Sequence, residues 1–114
     1  MAEDSTANRD AWVEQLDRLT KDRAGQYVTI EVLDRTYGDG TEAERLPFAY
    51  ASYDPKDDVV IIAVGGSSSK YPVVLRHMVW HPTEVDVDTA SGALKVVEPD
   101  GTTTFAGFSP ASGA

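Results

Sequence analysis

The stretch Val59-Val60-Ile61-Ile62-Ala63-Val64 is apolar at every position, and it decides the fold. A strand points alternate side chains to opposite faces of its sheet, so a short continuous apolar run is typical of a strand buried on both faces. We therefore predict that these residues form the central strand of a sheet. The run is too short for a membrane span, which takes about 20 apolar residues.

Weaker strand patterns lie on both sides of this run. Asp54-Pro55-Lys56-Asp57 has Asp and Pro at the first two positions of a type I turn, which joins the central strand to a predicted strand over residues 46–53. Alternating apolar residues between turn signals predict the remaining strands. These cover residues 28–32, 73–80, 84–88, 93–97 and 102–108, and residues 37–42 and 65–69 are predicted as loops.

An N-terminal helix is predicted over residues 9–24. Trp12, Leu16 and Leu19 recur at helical spacing and make one apolar stripe. Asn8 is the expected N-cap, and Gly25 is the expected residue at which the helix ends. The sequence thus predicts an α+β fold, in which one N-terminal helix packs on a bent antiparallel sheet of five to seven strands.

The order of elements leaves one alternative open. A helix followed by a five-strand meander is also the order of Sm-like and SH3-like open barrels, so such a barrel with an N-terminal helix is the alternative fold. In either case we expect a disordered tail over residues 1–8, a single domain over 9–108 and a flexible tail over 109–114. The length of 114 residues is that of one domain.

Composition excludes several classes of function. The formal net charge is −9, and the ten Lys and Arg residues are dispersed along the chain, which disfavours binding to phosphate backbones. The chain has no cysteine, so it has no disulfide framework, thiolate nucleophile or thiolate-bound metal. The acidic N-terminal residues do not resemble a signal peptide. We expect a soluble cytoplasmic protein that binds neither nucleic acid nor membranes.

The two histidines, His77 and His81, are the clearest candidates for chemistry. Strand side chains four residues apart share a face but lie too far apart for one metal unless the chain bends, and no third ligand has matching spacing. His77 is in register with Leu75 and Val79, which predicts a half-buried, hydrogen-bonded ring. His81 is predicted to pack at the strand end, before Pro82. The sequence therefore predicts no catalytic residue, no metal site and no cofactor.

An acidic stripe is the second candidate. Glu84, Asp86 and Asp88 alternate with valines, so their carboxylates line one strand face with no local Lys or Arg to pair them. A solvated face accounts for this pattern, but such a stripe also steers a basic partner. These three residues, together with His77 and His81, are the candidate binding surface.

The order of these signals resembles a known family. The residues that carry the resemblance are Trp12, Leu16, Gly25, residues 28–33, Glu42-Ala43, Leu46-Pro47, residues 53–58, Gly65-Gly66, His77, His81-Pro82 and residues 100–104. Over residues 9–108 the chain resembles a family of short bacterial proteins catalogued as a domain of unknown function, family 5335. The resemblance implies a single domain and a bacterial source, and it assigns no activity, cofactor or functional residue.

These observations favour a non-enzymatic binding or accessory module. It would act through protein–protein contacts, either with another protein or with itself as a homo-oligomer. The alternative is a small enzyme or ligand-binding protein that uses His77, His81 and nearby carboxylates.

The charge pattern makes a direct prediction about nucleic acid. Binding to DNA or RNA oligonucleotides is expected to be undetectable at physiological salt, because dispersed cations in a chain of net charge −9 cannot neutralise adjacent phosphates. Fluorescence anisotropy with labelled oligonucleotides measures this. Salt-sensitive micromolar binding would mean that the fold gathers the cations into one patch.

Overall fold

The structure, a computed structural model, describes residues 5–34, 38–68, 71–88 and 90–110. In that part of the chain one helix precedes seven antiparallel strands, which confirms the predicted α+β class. The elements are α1 (Ser5–Asp22), β1 (Tyr27–Asp34), β2 (Gly38–Asp54), β3 (Val59–Ser68), β4 (Tyr71–Trp80), β5 (Glu84–Val87), β6 (Leu94–Val97) and β7 (Thr103–Ser109).

The apolar run lies in β3, which is hydrogen-bonded to β2 on one side and β4 on the other. Val60, Ile62 and Val64 point to the face that carries the main buried cluster, which we call the inner face. On the opposite, outer face, Ile61 is half-buried between two buried neighbours. The strand is therefore inside the sheet, but the predicted central position was wrong: β3 is second from the β4 edge and β1 is the central strand. Burial on both faces is only partly as predicted, because Ile61 on the outer face is half-buried.

The strand order is β4-β3-β2-β1-β7-β6-β5, so β4 and β5 form the two edges of the sheet. These edges are joined by only residues 81–83. In a flat sheet with strands about 4.8 Å apart, the two edge strands would be about 29 Å from each other. The four Cα steps from the end of β4 to the start of β5 span at most about 14 Å. The sheet must therefore curl until its edges approach at this end, although it is not closed by a β4–β5 ladder among the described residues.

A hydrogen bond across the inner face demonstrates the same curvature. His77 on β4 and Thr104 on β7 belong to strands that are four positions apart in the sheet, which is about 19 Å in a flat arrangement. Yet Nε2 of His77 lies 3.1 Å from Oγ1 of Thr104, whose side chain is fully buried. The predicted half-buried, hydrogen-bonded state of His77 is confirmed.

The helix covers the inner face where β1 stops. Trp12, Leu16 and Leu19 are buried in the same cluster as the inner residues of β3, as their spacing predicts. β1 pairs with β2 only as far as Pro47, which leaves the second half of β2 without a partner on that side. The hydroxyl of Thr20 fills the gap, since it accepts from the N–H of Ala51 at 3.0 Å and donates to the carbonyl oxygen of Ala51 at 2.8 Å.

Several predicted boundaries were wrong. α1 begins at Ser5, so Asn8 lies inside the helix and is not its N-cap. β2 begins at Gly38 and β3 continues to Ser68, so most of each predicted loop is strand; the rest of those loops lies outside the described residues. Pairing over long hairpins overrides the local preference of Gly and Ser for loops. The division into tails over 1–8 and 109–114 and a domain over 9–108 stays a prediction.

The alternative of a five-strand meander does not match the observed order. Seven strands are present in the described part of the chain, and consecutive strands β4 and β5 lie at opposite edges instead of side by side. The reason is the break at His81 and Pro82, where the chain leaves one edge and β5 pairs with β6 at the other. No helix of the described chain is long and apolar enough to cross a membrane.

The two faces of β3 predict different responses to truncation. Ile62→Ala is expected to lower the free energy of unfolding by about 2–5 kcal/mol, because it opens a cavity in the core. Ile61→Ala removes the same atoms from the half-buried outer face and is expected to have a smaller effect. Urea denaturation of both variants measures the difference, and equal losses would contradict the assignment of the two faces.

Candidate functional site

A polar cluster lies where the β2–β3 turn meets the link from β4 to β5. The carboxylate of Asp58 is its centre. Oδ1 of Asp58 accepts from the hydroxyl of Tyr53 at 2.6 Å and from the guanidinium of Arg9 on α1. Arg9 also donates to the hydroxyl of Tyr53 at 2.6 Å. Nδ1 of His81 lies 3.1 Å from Oδ2 of Asp58, so the cluster connects the helix, the hairpin and the link.

The backbone of this cluster is unusual at two positions. Asp58 and His81 have φ values of 56° and 55°, in the left-handed region that few residues other than glycine adopt. The N–H of His81 donates to the carbonyl oxygen of Asp58 at 2.7 Å, which ties the two positions together. On the other side of the link, the N–H of Thr83 donates to the carbonyl oxygen of Val97 at 2.7 Å. The link is therefore held to the β2–β3 turn on one side and to β6 on the other.

The surroundings of Asp58 shift its ionisation. Burial alone would raise the pKa of this carboxyl group, but hydrogen bonds from Tyr53, His81 and Arg9 outweigh burial and lower it. Burial raises the pKa of the Tyr53 hydroxyl, and the hydrogen bond to Asp58 raises it further. Asp58 is thus a carboxylate and Tyr53 a neutral phenol near neutral pH, which is the pairing that the geometry requires.

The structure separates the two candidate histidines. His77 points into the curled sheet toward Thr104, whereas His81 is largely exposed at the strand end beside Asp58. The expectation that His81 packs at the strand end was wrong, because its left-handed backbone turns the ring outward to the carboxylate. No group of three or more metal-ligating side chains occurs in the described part of the chain.

The acidic stripe is only partly as predicted. Glu84 and Asp86 are exposed on β5 with Val85 buried between them, as the alternation predicts. The expectation that no cation pairs them was wrong: Lys95 lies opposite Asp86 on β6, and its Nζ is 2.9 Å from Oε2 of Glu84. Hydrogen bonding to Glu84 accordingly raises the pKa of Lys95.

Asp88 has a separate local role. Its two carboxylate oxygens accept from the N–H of Ala90 at 2.9 Å and from the hydroxyl of Ser91 at 3.0 Å. These bonds lower the pKa of Asp88. Asp88 therefore stabilises the β5–β6 turn. Of the three carboxylates in the stripe, Asp86 is the one whose negative charge is least compensated by neighbouring groups.

The outer face of β4 carries two exposed apolar side chains. Met78 and Trp80 are 41% and 47% exposed, and they lie next to each other on this face because they are two residues apart on one strand. In the adjoining β3, their register partners Ile61 and Val59 are half-buried and buried. The result is an apolar surface, the β4 patch, which we define by Ile61, Met78 and Trp80; Val59 is only 1% exposed and contributes no surface.

A groove of about 450 Å³ lies elsewhere, between α1 and the β5–β6 turn. Arg18, Arg23 and Asp88 are among the side chains that line it. The guanidinium of Arg23 donates to the carbonyl oxygen of Ser91 at 2.9 Å and lies against Gly92, whose φ of 77° suits glycine. This groove includes neither histidine and neither residue of the exposed pair on β4.

Residues 3–110 match the model described as "Family of unknown function (DUF5335)". The chain belongs to the DUF5335 family. A relative from Aquifex aeolicus (strain VF5), titled "Uncharacterized protein", is 32% identical over 106 residues, covering 90% of this chain and 89% of the relative. No solved structure matches. The resemblance to family 5335 is confirmed, and the bacterial relative agrees with the source that it implied.

Sequence analysis of this DUF5335 chain missed Arg9, Tyr53, Met78 and Trp80. The alternation that placed His77 with Val79 also places Met78 and Trp80 on the opposite face, so the β4 patch had a signal in the sequence. Arg9 had none, because it lies 49 positions from Asp58 along the chain and only the packing of α1 joins them.

The lowered pKa of Asp58 predicts an acid-sensitive fold. A carboxyl group whose pKa is lower in the folded state stabilises that state above its unfolded pKa, and the stabilisation is lost as pH falls through the folded value. Asp58→Asn is therefore expected to cost roughly 1–3 kcal/mol at neutral pH and to flatten the loss of stability below the ordinary value of 3.8. Thermal unfolding at several pH values measures both effects.

Asp57→Asn is the matched control for this experiment. Asp57 is exposed in the same turn, so its removal is expected to leave the stability and its pH dependence nearly unchanged. A flattened pH profile in the control, or an unchanged one in Asp58→Asn, would mean that another carboxyl group carries the acid sensitivity.

Proposed function

We propose that this domain is a non-enzymatic binding module that makes protein–protein contacts through the outer face of β2, β3 and β4. The observation that carries the proposal is the exposure of Trp80 and Met78 side by side on β4. Trp and Met are enriched in protein interfaces and depleted from ordinary surface. The partner is another protein or a second copy of the chain, and the cytoplasm is the compartment that we assign to it.

The energetics support a contact at the β4 patch. Fully burying an apolar side chain of this size is worth roughly 1.5–3 kcal/mol. Because Met78 and Trp80 are 41% and 47% exposed, covering what remains of each is worth somewhat less than half of that. Buried Trp residues near the centre of an interface are frequent hot spots, and Met adapts its shape to the partner. Ile61, which is half-buried opposite Met78, extends the apolar surface next to these two residues.

The acidic strand is a second candidate for the binding surface. It was predicted from Glu84, Asp86 and Asp88, and exposure of Glu84 and Asp86 still favours attraction of a basic partner. Lys95 compensates Glu84, and Asp88 is engaged in its turn. For that reason we rank this surface, and with it His77, below the β4 patch.

A small enzyme using His81 is the second candidate function. The contact between His81 and Asp58 favours it, because a carboxylate at Nδ1 orients an imidazole for proton transfer. The same contact already holds the link between the sheet edges, and the groove beside α1 does not include it. His77 lies on the inner face and takes no part. Binding through the β4 patch is therefore the better-supported function.

Site-specific photo-crosslinking in the source cells tests the proposal. A photo-reactive amino acid at position 78 is expected to yield a discrete crosslinked protein, because the probe replaces a side chain at the centre of the β4 patch. The additional change Trp80→Ser is expected to reduce that product at least about tenfold, as for loss of an interface anchor.

Two further probe positions give the controls. A probe at position 86 examines the acidic strand, and one at position 17 examines the exposed side of α1. Crosslinks from position 86 alone would move the binding surface to β5. Equal products from all three positions, or none from position 78, would contradict the proposal.

A further inference from the structure

The outer face of β2, β3 and β4 forms a regular array of three rows. The ladder pairs fix which side chains lie next to each other, because directly opposite residues in antiparallel strands point to the same face. The rows are Asp54-Val59-Trp80, Ser52-Ile61-Met78 and Tyr50-Ala63-Arg76. Ile61, which is half-buried, is at the centre. Val59 and Ala63 on either side of it are 1% and 0% exposed, so the accessible apolar part of the array is the β4 patch.

The two charges of this array occupy opposite corners. Asp54 is at one end of β2, and Arg76 is diagonally across from it on β4. Tyr50 and Trp80 occupy the other two corners. The array is therefore neutral in sum, although the whole chain has a formal net charge of −9.

From this arrangement we infer that the occupant of the face is a second copy of the chain, packed face to face in a two-fold symmetric dimer. The inference rests on the proposed function and names the partner. A two-fold axis along the diagonal from Tyr50 to Trp80 brings Asp54 of each copy toward Arg76 of the other. It also places Ile61 over Ile61, so the apolar centres cover each other.

The crossing angle and the distance between the charged corners both fit two packed sheets. If the three-strand array is treated as locally flat, with neighbouring strands about 4.8 Å apart and alternate residues about 6.8 Å apart, the strands of the two copies cross at about 70°. Steep crossing angles occur in orthogonally packed sheets. In the plane of the face, the Cα position of Asp54 then falls about 6 Å from that of Arg76 in the other copy, within reach of a guanidinium.

The side chains at both corners can make this contact without losing their present partners. Nε of Arg76 lies 3.3 Å from the hydroxyl oxygen of Tyr50, and a guanidinium has five N–H donors. Oδ1 of Asp54 accepts from the N–H of Lys56 at 2.9 Å, and a carboxylate has two acceptor oxygens. Each dimer would gain two such ion pairs.

The net charge also favours this face as the place where copies meet. Two chains of charge −9 repel each other, and this repulsion is smallest where the local charge of the contacting faces is balanced. The array has one positive and one negative charge, whereas the β5 surface has Glu84 and Asp86 against a single Lys95.

Charge reversal on the purified full-length chain tests the dimer. Analytical ultracentrifugation is expected to show a reversible dimer for the native sequence. Asp54→Arg and Arg76→Asp, each alone, place like charges together at both symmetric contacts and are expected to weaken the dimer at least about tenfold. An equimolar mixture of the two variants restores opposite charges at both contacts and is expected to recover dimer formation.

Two further variants serve as a control and as a substitute for a variant that does not fold. Glu84→Lys combined with Lys95→Glu reverses charges on β5 and is expected to leave the dimer unchanged. Circular dichroism verifies that each variant is folded; if Asp54→Arg is not, Trp80→Ser is expected to weaken the dimer in its place. A monomeric native chain at high micromolar concentration, or a mixture that fails to recover, would overturn the inference.

The outcomes separate this inference from the proposed function. If the native chain is monomeric and the probe at position 78 captures a different protein, the face binds a partner and the second copy is excluded. If the probe captures no protein at all, including a second copy, both the dimer and the binding function are wrong.

Discussion

The short link between the two edge strands controls the whole structure. Residues 81–83 connect β4 to β5, which are the opposite edges of a seven-stranded sheet. Because so few residues cannot span a flat sheet of this width, the sheet has to curl around its inner face. The curl encloses the core, lets His77 reach Thr104, and leaves a gap beside the second half of β2 that α1 covers through Thr20.

The polar cluster follows from the same constraint. His81 is in the link itself, and its left-handed backbone requires a stable contact at that point. Asp58 supplies it through both its carbonyl oxygen and its carboxylate. Arg9 compensates the negative charge of that carboxylate, and Tyr53 donates a hydrogen bond to it. Asp58, whose pKa is lowered, therefore has a structural role in the β2–β3 turn that explains its position. This role weakens the argument that Asp58 takes part in catalysis.

The outer face is left with a different character. The inner side chains of β3 are buried in the main core, and the helix also packs on the inner side. Nothing in the described chain covers Met78 and Trp80 to a comparable degree. A sheet whose inner face is fully buried and whose outer face has exposed apolar side chains is suited to binding a second surface. The diagonal arrangement of Asp54 and Arg76 favours a second copy of the same surface.

The sequence by itself determined the class of elements, a sheet of five to seven strands, the strand over residues 59–64 and the half-buried state of His77. These depend on local alternation and turn chemistry, which act between near neighbours. Tertiary structure alone decided the strand order, the contact between Arg9 and Asp58, and the pairing of Lys95 with Glu84. Those contacts depend on the curvature of the sheet and on cross-strand register, because residues distant in sequence become neighbours only when the sheet has curled.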